Sequence, residues 1–227
     1  NEQDAADLVE YLNGEYRESG VKSGVSGDLG KKDWAKERVK NGHPEPYGVK
    51  YFEIGNEVWH GDHRNIKNTQ PEEYARRYLK YYEAMKASDS SISVGVILSE
   101  SDWTKEVLEI IKDRLDFAII HTYPSPKADW NKLEGMDVKD IFNISLNSAI
   151  LKTEIRIQEI LRFLREKSGK DVPLAVTEYN AGFPYKYRHS LGSALINAEL
   201  LRIFMKPKHH ILMANLWNFV NEAWGMI

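Results

Sequence analysis

The stretch that decides the fold is Val49–Trp59, which reads VKYFEIGNEVW. Its first six residues are mostly apolar and β-prone, and the polar turn Gly55, Asn56, Glu57 follows at once. A switch from an apolar run to polar residues is typical of a buried parallel strand that ends at a functional edge. We therefore predict a strand over Val49–Ile54 with Glu57 at its carboxyl end.

Outward from this stretch, strands and helices alternate along the chain. The other predicted strands are Ile92–Leu98, Phe117–Ile120, Leu174–Thr177 and His210–Leu216. The helices predicted from amphipathic spacing are Asp4–Asn13, Pro71–Ala87, Trp103–Asp113, Leu151–Lys167 and Ser190–Met205, with one further turn at Trp34–Val39. Thr69 is a candidate N-cap for the helix at Pro71, and Pro124–Asp140 is predicted to be a loop. This order predicts an α/β fold with a parallel sheet, either an open doubly wound sheet or part of a (β/α)8 barrel.

Polar residues cluster at the predicted strand ends. Glu57 and Glu178 each follow an apolar strand, and His121, Tyr123 and Asn218 follow others. The carboxyl ends of parallel strands meet at one edge of a sheet, so we expect the two glutamates at the same edge. A pair of carboxyl groups is what glycoside hydrolysis needs, one protonated and one ionised.

Four segments resemble glycoside hydrolase family 51, the α-L-arabinofuranosidases. Val49–Trp59 is similar to the strand-four segment of that family, and Asn41–Tyr47 (NGHPEPY) is similar to the loop before it. Ala5–Asn13 resembles the helix after strand three, and Val176–Asn180 (VTEYN) resembles the nucleophile strand. The resemblance implies a (β/α)8 TIM barrel, of which this chain holds strands four to eight.

The resemblance also implies roles for particular residues. Glu57 is the expected acid/base residue and Glu178 the expected nucleophile. Asn56 is expected to hold the sugar 2-hydroxyl, and Tyr123 to donate a hydrogen bond to the nucleophile. His121 is expected near the acid/base residue.

The assignment of the remaining site residues is open. Trp59 and Trp217 are candidate walls of the sugar subsite, although core packing explains each of them equally well. Asn218 stands where the family commonly has a longer glutamine, which puts its contact with the sugar in doubt. We predict no metal and no cofactor, although His60, Asp62 and His63 lie close together after Trp59.

The expected function is exo-acting release of arabinose from arabinan or arabinoxylan with retention of configuration. A β-xylosidase or an endoglucanase of a related barrel family is the alternative enzyme, and a non-catalytic carbohydrate-binding fragment is the alternative outside enzymes. Residues 1–227 are expected to form one partial catalytic domain. The N-terminal strands and the C-terminal β-sandwich domain of the family have no counterpart here, so we expect a fragment or a missing barrel half supplied by another chain.

The composition limits which classes of binding partner are expected. The net charge is -3, with 31 basic and 34 acidic residues, and this balance does not favour nucleic acid or an anionic membrane. There is no cysteine, which excludes disulfides and thiolate chemistry. An oligo- or polysaccharide is the expected partner, with a homo-oligomer also open. Either a cytoplasmic or a secreted location fits.

Overall fold

The computed structural model describes residues 1–16, 32–59, 68–99, 102–124, 135–181, 187–218 and 220. The chain divides into two compact units, Asn1–Asp116 and Phe117–Ile227. All five predicted strands are present, two in the first unit and three in the second. None of the helices in the described ranges is long and apolar enough to cross a membrane.

The first unit is built around two parallel strands, β1 (Tyr51–Ile54) and β2 (Ser93–Ile97). They pair in register from Tyr51 with Ser93 to Ile54 with Val96. Its helices are α1 (Glu2–Asn13), α2 (Trp34–Lys40), α3 (Pro71–Ser88) and α4 (Asp102–Ile111). The core contains β2 together with apolar side chains of α3 and α4, among them Tyr78, Met85, Val107, Leu108 and Ile111.

Side chains that bond to the main chain hold the segment before β1. Asn13, the last residue of α1, donates to the Val49 carbonyl and accepts from the Val49 amide, both at 2.8 Å. Arg38 of α2 is fully buried and donates to the carbonyls of Tyr11, His43 and Pro44. A buried guanidinium with several carbonyl acceptors can order a proline-containing loop that forms no regular helix.

The second unit contains three parallel strands in the order β3 (Phe117–Thr122), β4 (Leu174–Tyr179) and β5 (Ile211–Leu216). Its helices are α5 (Val138–Asn147), α6 (Thr153–Ser168) and α7 (Leu191–Phe204), with a π-helical turn at Ser148–Lys152 and a 3-10 turn at Pro207–His209. Strand β3 is buried along its whole length, as an apolar parallel strand should be.

Two local predictions were wrong. The N-cap of α3 is Gln70 and not Thr69. Thr69 is used elsewhere, because its amide donates to the Val58 carbonyl and its carbonyl accepts from Trp103 Nε1. The segment Pro124–Asp140 is not a loop throughout, since Val138 begins α5.

Helix α5 begins after Asp137, whose side chain accepts from the Lys139 amide at 2.8 Å. Its buried positions are Ile141 and Ser145, one of them polar, while its apolar Val138 is half exposed. The sequence prediction missed this helix although Val138, Ile141, Phe142 and Ile144 recur at helical spacing.

The parallel α/β architecture is confirmed within each unit. The closed eight-stranded barrel and the single catalytic domain stay predictions.

Candidate active site

Strand β4 places Glu178 through a bulge. Ile120 and His121 are successive on β3, but their partners on β4 are Val176 and Glu178, so Thr177 is an extra residue. The register between β4 and β5 shifts over the same part of β4. A bulge bends the strand and re-aims its side chains. Here both Thr177 and Glu178 approach the His121 ring, which strict alternation along the strand would not allow.

Glu178 is surrounded by groups that suit a carboxylate. Tyr123 Oη donates a hydrogen bond to Glu178 Oε2 at 2.7 Å, and His121 Nδ1 lies 3.5 Å from the same oxygen. Thr177 Oγ1 lies 3.2 Å from His121 Nε2. A hydroxyl that donates to a carboxylate stabilises its charge and limits its rotation. The predicted contact between Tyr123 and the nucleophile candidate is therefore present in the structure.

His121 is held by burial and by a hydrogen bond to its main chain. The side chain is buried, and its own carbonyl accepts from Arg156 of α6 at 3.0 Å. The structure places this histidine beside Glu178. Its predicted proximity to Glu57 concerns the other unit and stays a prediction. Sequence reasoning did not single out Thr177 or Arg156, because both act through contacts that chain order does not reveal.

The end of β5 is joined to the end of β4. Asn180 Nδ2 donates to the Trp217 carbonyl at 2.7 Å, and the Trp217 amide donates to the Tyr179 carbonyl at 2.9 Å. Trp217 is 44% exposed among the described residues, and its role as a wall of the sugar subsite stays a prediction. Asn218 Oδ1 is buried and has no hydrogen-bond partner in the described part of the chain. Such an acceptor is available to a donor from a ligand.

In the first unit, Glu57 follows β1 in a strained turn. Gly55 has φ +90° and Glu57 has φ +45°, so both lie in the left-handed region. This region suits glycine and is costly for glutamate, and such strain is concentrated at functional sites. Asn56 is exposed and Glu57 is partly buried. The turn thus presents both polar side chains at the carboxyl end of β1.

Trp59 is packed by a second tryptophan. Its ring meets that of Trp103 of α4 edge to face, with 5.9 Å between ring centroids. This contact holds the Trp59 ring against α4. It is compatible both with core packing and with a wall of the sugar subsite. The candidate metal ligands His60, Asp62 and His63 lie outside the described residues.

An α/β fold with parallel strands and carboxylates at the strand ends is found in many enzymes, glycoside hydrolases among them. This chain belongs to family 51 of that class, the α-L-arabinofuranosidases. Residues 1–140 match the sequence model described as "Alpha-L-arabinofuranosidase 1 domain".

Individual relatives agree with this membership. An exo-alpha-(1->6)-L-arabinofuranosidase of Bifidobacterium longum is 25% identical over an alignment of 221 positions that covers 88% of this chain and 37% of the relative. An intracellular exo-alpha-(1->5)-L-arabinofuranosidase of the same organism is 35% identical over an alignment of 100 positions that covers 40% of this chain and 17% of the relative.

The fold is shared with solved structures of the family. The alpha-L-arabinofuranosidase of Thermotoga maritima, solved in complex with arabinose, superposes with a TM-score of 0.74 at 23% identity. The match covers 98% of this chain and 42% of the Thermotoga chain. The chain therefore spans less than half the length of each of these three relatives.

Proposed function

We propose that the protein containing this chain is a retaining α-L-arabinofuranosidase with Glu178 as nucleophile and Glu57 as acid/base residue. The proposal rests on the 2.7 Å hydrogen bond from Tyr123 to Glu178, because it holds the carboxyl group of the proposed nucleophile in one orientation. Family membership supports the sugar, since both Bifidobacterium longum relatives are arabinofuranosidases by name.

The reaction would proceed in two displacements. In the first, the Glu178 carboxylate attacks the anomeric carbon and the bond to the leaving oxygen breaks, while the Glu57 carboxylic acid gives its proton to that oxygen. In the second, the Glu57 carboxylate takes a proton from water, and the water oxygen attacks the anomeric carbon. Glu178 leaves as a carboxylate, and both residues return to their starting protonation states.

This mechanism requires both carboxyl groups to face one sugar. We propose that the chain supplies strands four to eight of a (β/α)8 barrel, whose remaining strands complete the cleft. For a retaining enzyme the two carboxyl groups should be roughly 5–5.5 Å apart. A crystal structure of the intact protein would measure that separation, and a value beyond about 9 Å would contradict the mechanism.

The surrounding polar residues would bind the sugar. Asn56 is exposed beside Glu57 and would bond the 2-hydroxyl, a contact that strengthens in the transition state. The Asn218 amide oxygen would accept from a second hydroxyl, and Trp217 would cover an apolar face of the ring. Terminal arabinose of arabinan or arabinoxylan is the proposed substrate.

The test uses the intact protein and p-nitrophenyl α-L-arabinofuranoside. Glu178→Ala should lower kcat by about 10⁴-fold or more, because the covalent route is lost. Glu166→Ala is the matched control, since Glu166 is an exposed glutamate of α6 in the same unit, and it should keep activity. A mechanism-based arabinofuranosyl inhibitor should label the peptide that contains Glu178. Retained activity of Glu178→Ala, or a label on another residue, would refute the assignment.

Two further readouts separate the alternatives. Aryl xylosides and glucosides in the same assay would reveal a β-xylosidase or an endoglucanase by a higher kcat/KM than for the arabinofuranoside. A carbohydrate-binding role without catalysis predicts binding of arabinan with no covalent label and no turnover.

A further inference from the structure

The hydroxyl of Tyr74 bonds to both strands at the carboxyl end of the ladder between β1 and β2. The Ser93 amide donates to the Lys50 carbonyl at 2.7 Å, and parallel pairing repeats this bond every two residues. The repeat places a bond from the Ile97 amide to the Ile54 carbonyl at the carboxyl end of β1. At this place Ile97 N also donates to Tyr74 Oη at 3.2 Å, and Tyr74 Oη donates to the Ile54 carbonyl at 2.8 Å.

One hydroxyl oxygen thus bonds to both strands just before the turn that carries Glu57. The Ile54 carbonyl and the Ile97 amide are bridged by a side chain from α3. Gly55 follows Ile54 directly, and a Cβ placed on Gly55 would lie 3.4 Å from Tyr74 Cε2. The tyrosine ring therefore also packs beside Gly55, where the left-handed turn begins.

Tyr74 is held firmly in this position. Its side chain is 5% exposed, and its ring packs on Trp103 with 5.0 Å between centroids. Trp103 Nε1 donates to the Thr69 carbonyl at 2.9 Å, and the Thr69 amide donates to the Val58 carbonyl at 2.9 Å. The connected contacts of Tyr74, Trp103 and Thr69 thus hold the main chain on both sides of Glu57, at Ile54 and at Val58.

The protonation state of Tyr74 suits a permanent bridge. Burial raises the pKa of the Tyr74 hydroxyl well above its usual range, so the group stays protonated and keeps donating to Ile54. One donated and one accepted hydrogen bond use the hydroxyl as a linker between strands.

We infer that Tyr74, supported by Trp103, is a positioning residue for Glu57 that sets the exit of β1 by bridging Ile54 and Ile97. The inference rests on the proposed function, because Glu57 must act as the acid/base residue. Without the hydroxyl, the Ile54 carbonyl and the Ile97 amide each lose a hydrogen-bond partner and face an apolar ring. This loss displaces the turn and misaligns the carboxyl group that gives the proton.

The test separates proton donation from general damage. In the intact protein, kcat/KM is measured for phenyl and 2,4-dinitrophenyl α-L-arabinofuranosides. Phenol has a pKa of about 10 and needs a proton to leave, whereas the far more acidic dinitrophenol leaves without one. For Tyr74→Phe we expect a loss of roughly 10- to 100-fold on the phenyl substrate and less than about 3-fold on the dinitrophenyl substrate.

Tyr78→Phe is the matched control. Tyr78 lies one helical turn further along α3, is fully buried, and donates to the Val94 carbonyl in the middle of β2 at 3.3 Å. This variant loses a comparable buried hydroxyl, but one that does not contact the end of β1. We therefore expect kcat/KM to change equally for both substrates. An equal loss on both substrates for Tyr74→Phe, as in the control, would overturn the inference.

Two additional variants keep the result decisive. Glu57→Gln should show the selective loss on the phenyl substrate more strongly. If Glu57→Gln shows no selectivity, the proposed function fails; if it does and Tyr74→Phe does not, only the role of Tyr74 fails. Should Tyr74→Phe not fold, Trp103→Phe removes the support of the ring, and an equal effect on both substrates would count against the inference.

Discussion

Two glutamates follow parallel strands, Glu178 in the second unit and Glu57 in the first, and a different kind of support is described around each. Glu178 is fixed through its side chain, by the Tyr123 hydroxyl at 2.7 Å and the His121 ring at 3.5 Å. The support visible around Glu57 acts on its main chain, through the positive φ of Gly55 and the Tyr74 bridge at Ile54.

The difference matches the chemistry proposed for each residue. A nucleophile keeps one charge state until it attacks, so donors aimed at its oxygens help throughout. An acid/base residue alternates between two charge states, and a strong fixed donor would oppose one of them. Fixing its main chain positions the carboxyl group in both states. The comparison teaches that similar strand ends can be prepared for opposite roles.

Among the changes that test this comparison, the largest effect is expected in the turn before Glu57. Gly55→Ala adds a Cβ at φ +90°, within 3.4 Å of both Ile97 Cδ1 and Tyr74 Cε2. We expect a loss in kcat/KM of about 100-fold on an aryl arabinofuranoside, because a shift near 1 Å costs that much. Steady-state kinetics of the intact protein would measure it.

Gly169→Ala is the control for that change. Gly169 ends α6 with φ +69°, and an added Cβ would meet nothing within 4 Å. It should lose about 1 kcal/mol in the free energy of unfolding and keep its activity. Equal activity loss in both glycine variants would show that strain alone, and not the placement of Glu57, matters.

A smaller effect is expected at the other glutamate. Tyr123→Phe removes the donor to Glu178 and should lower kcat/KM by roughly 10- to 100-fold, since a hydrogen bond to a charged group contributes about 1.5–3 kcal/mol. The loss should be similar for phenyl and dinitrophenyl substrates, unlike that of Tyr74→Phe. Tyr47→Phe, at a half-exposed tyrosine, should change neither rate. A loss below about 3-fold for Tyr123→Phe would show that the contact is dispensable.

The smallest effect is expected at a third carboxylate, Glu154 of α6. Its contacts are ion pairs with lysines, and the expected effect is on stability. Lys206 and Lys208 each place Nζ 2.5 Å from a Glu154 oxygen, and these hydrogen bonds lower the pKa of Glu154 to about 2. A lowered pKa in the folded state gives stability that is present above the ordinary value near 4.5 and is lost as the pH falls towards 2.

Glu154→Gln should therefore lower Tm slightly at pH 6, and the difference from the parent should shrink between about pH 5 and pH 2. Added salt should shrink it too, because the pair borders solvent. Thermal unfolding followed by circular dichroism would measure both trends. A difference that stays constant across this range would contradict the role of the charge, and activity at neutral pH should not change.

Most of the element order was predictable from local pattern. Apolar runs located all five strands, and the helical spacing located α1, α3, α4, α6 and α7. Gly169 ends α6 in the left-handed conformation, as the sequence Ser168-Gly169 indicates. Local pattern failed in two places. It did not show that Thr69 contacts Trp103 and does not cap α3, and it did not reveal α5, whose buried face includes a serine.

By itself the sequence determined the alternation of strands and helices and the placement of Glu57 and Glu178 after strands, because both depend on neighbouring residues. Only the tertiary structure decided how those glutamates are held. The Tyr123 hydroxyl meets a carboxylate 55 residues away, and the Tyr74 hydroxyl joins main-chain groups 20 and 23 residues away. The bulge at Thr177 likewise arises from the pairing of β4 with its neighbours. Such contacts form only when distant segments pack, so no local periodicity encodes them.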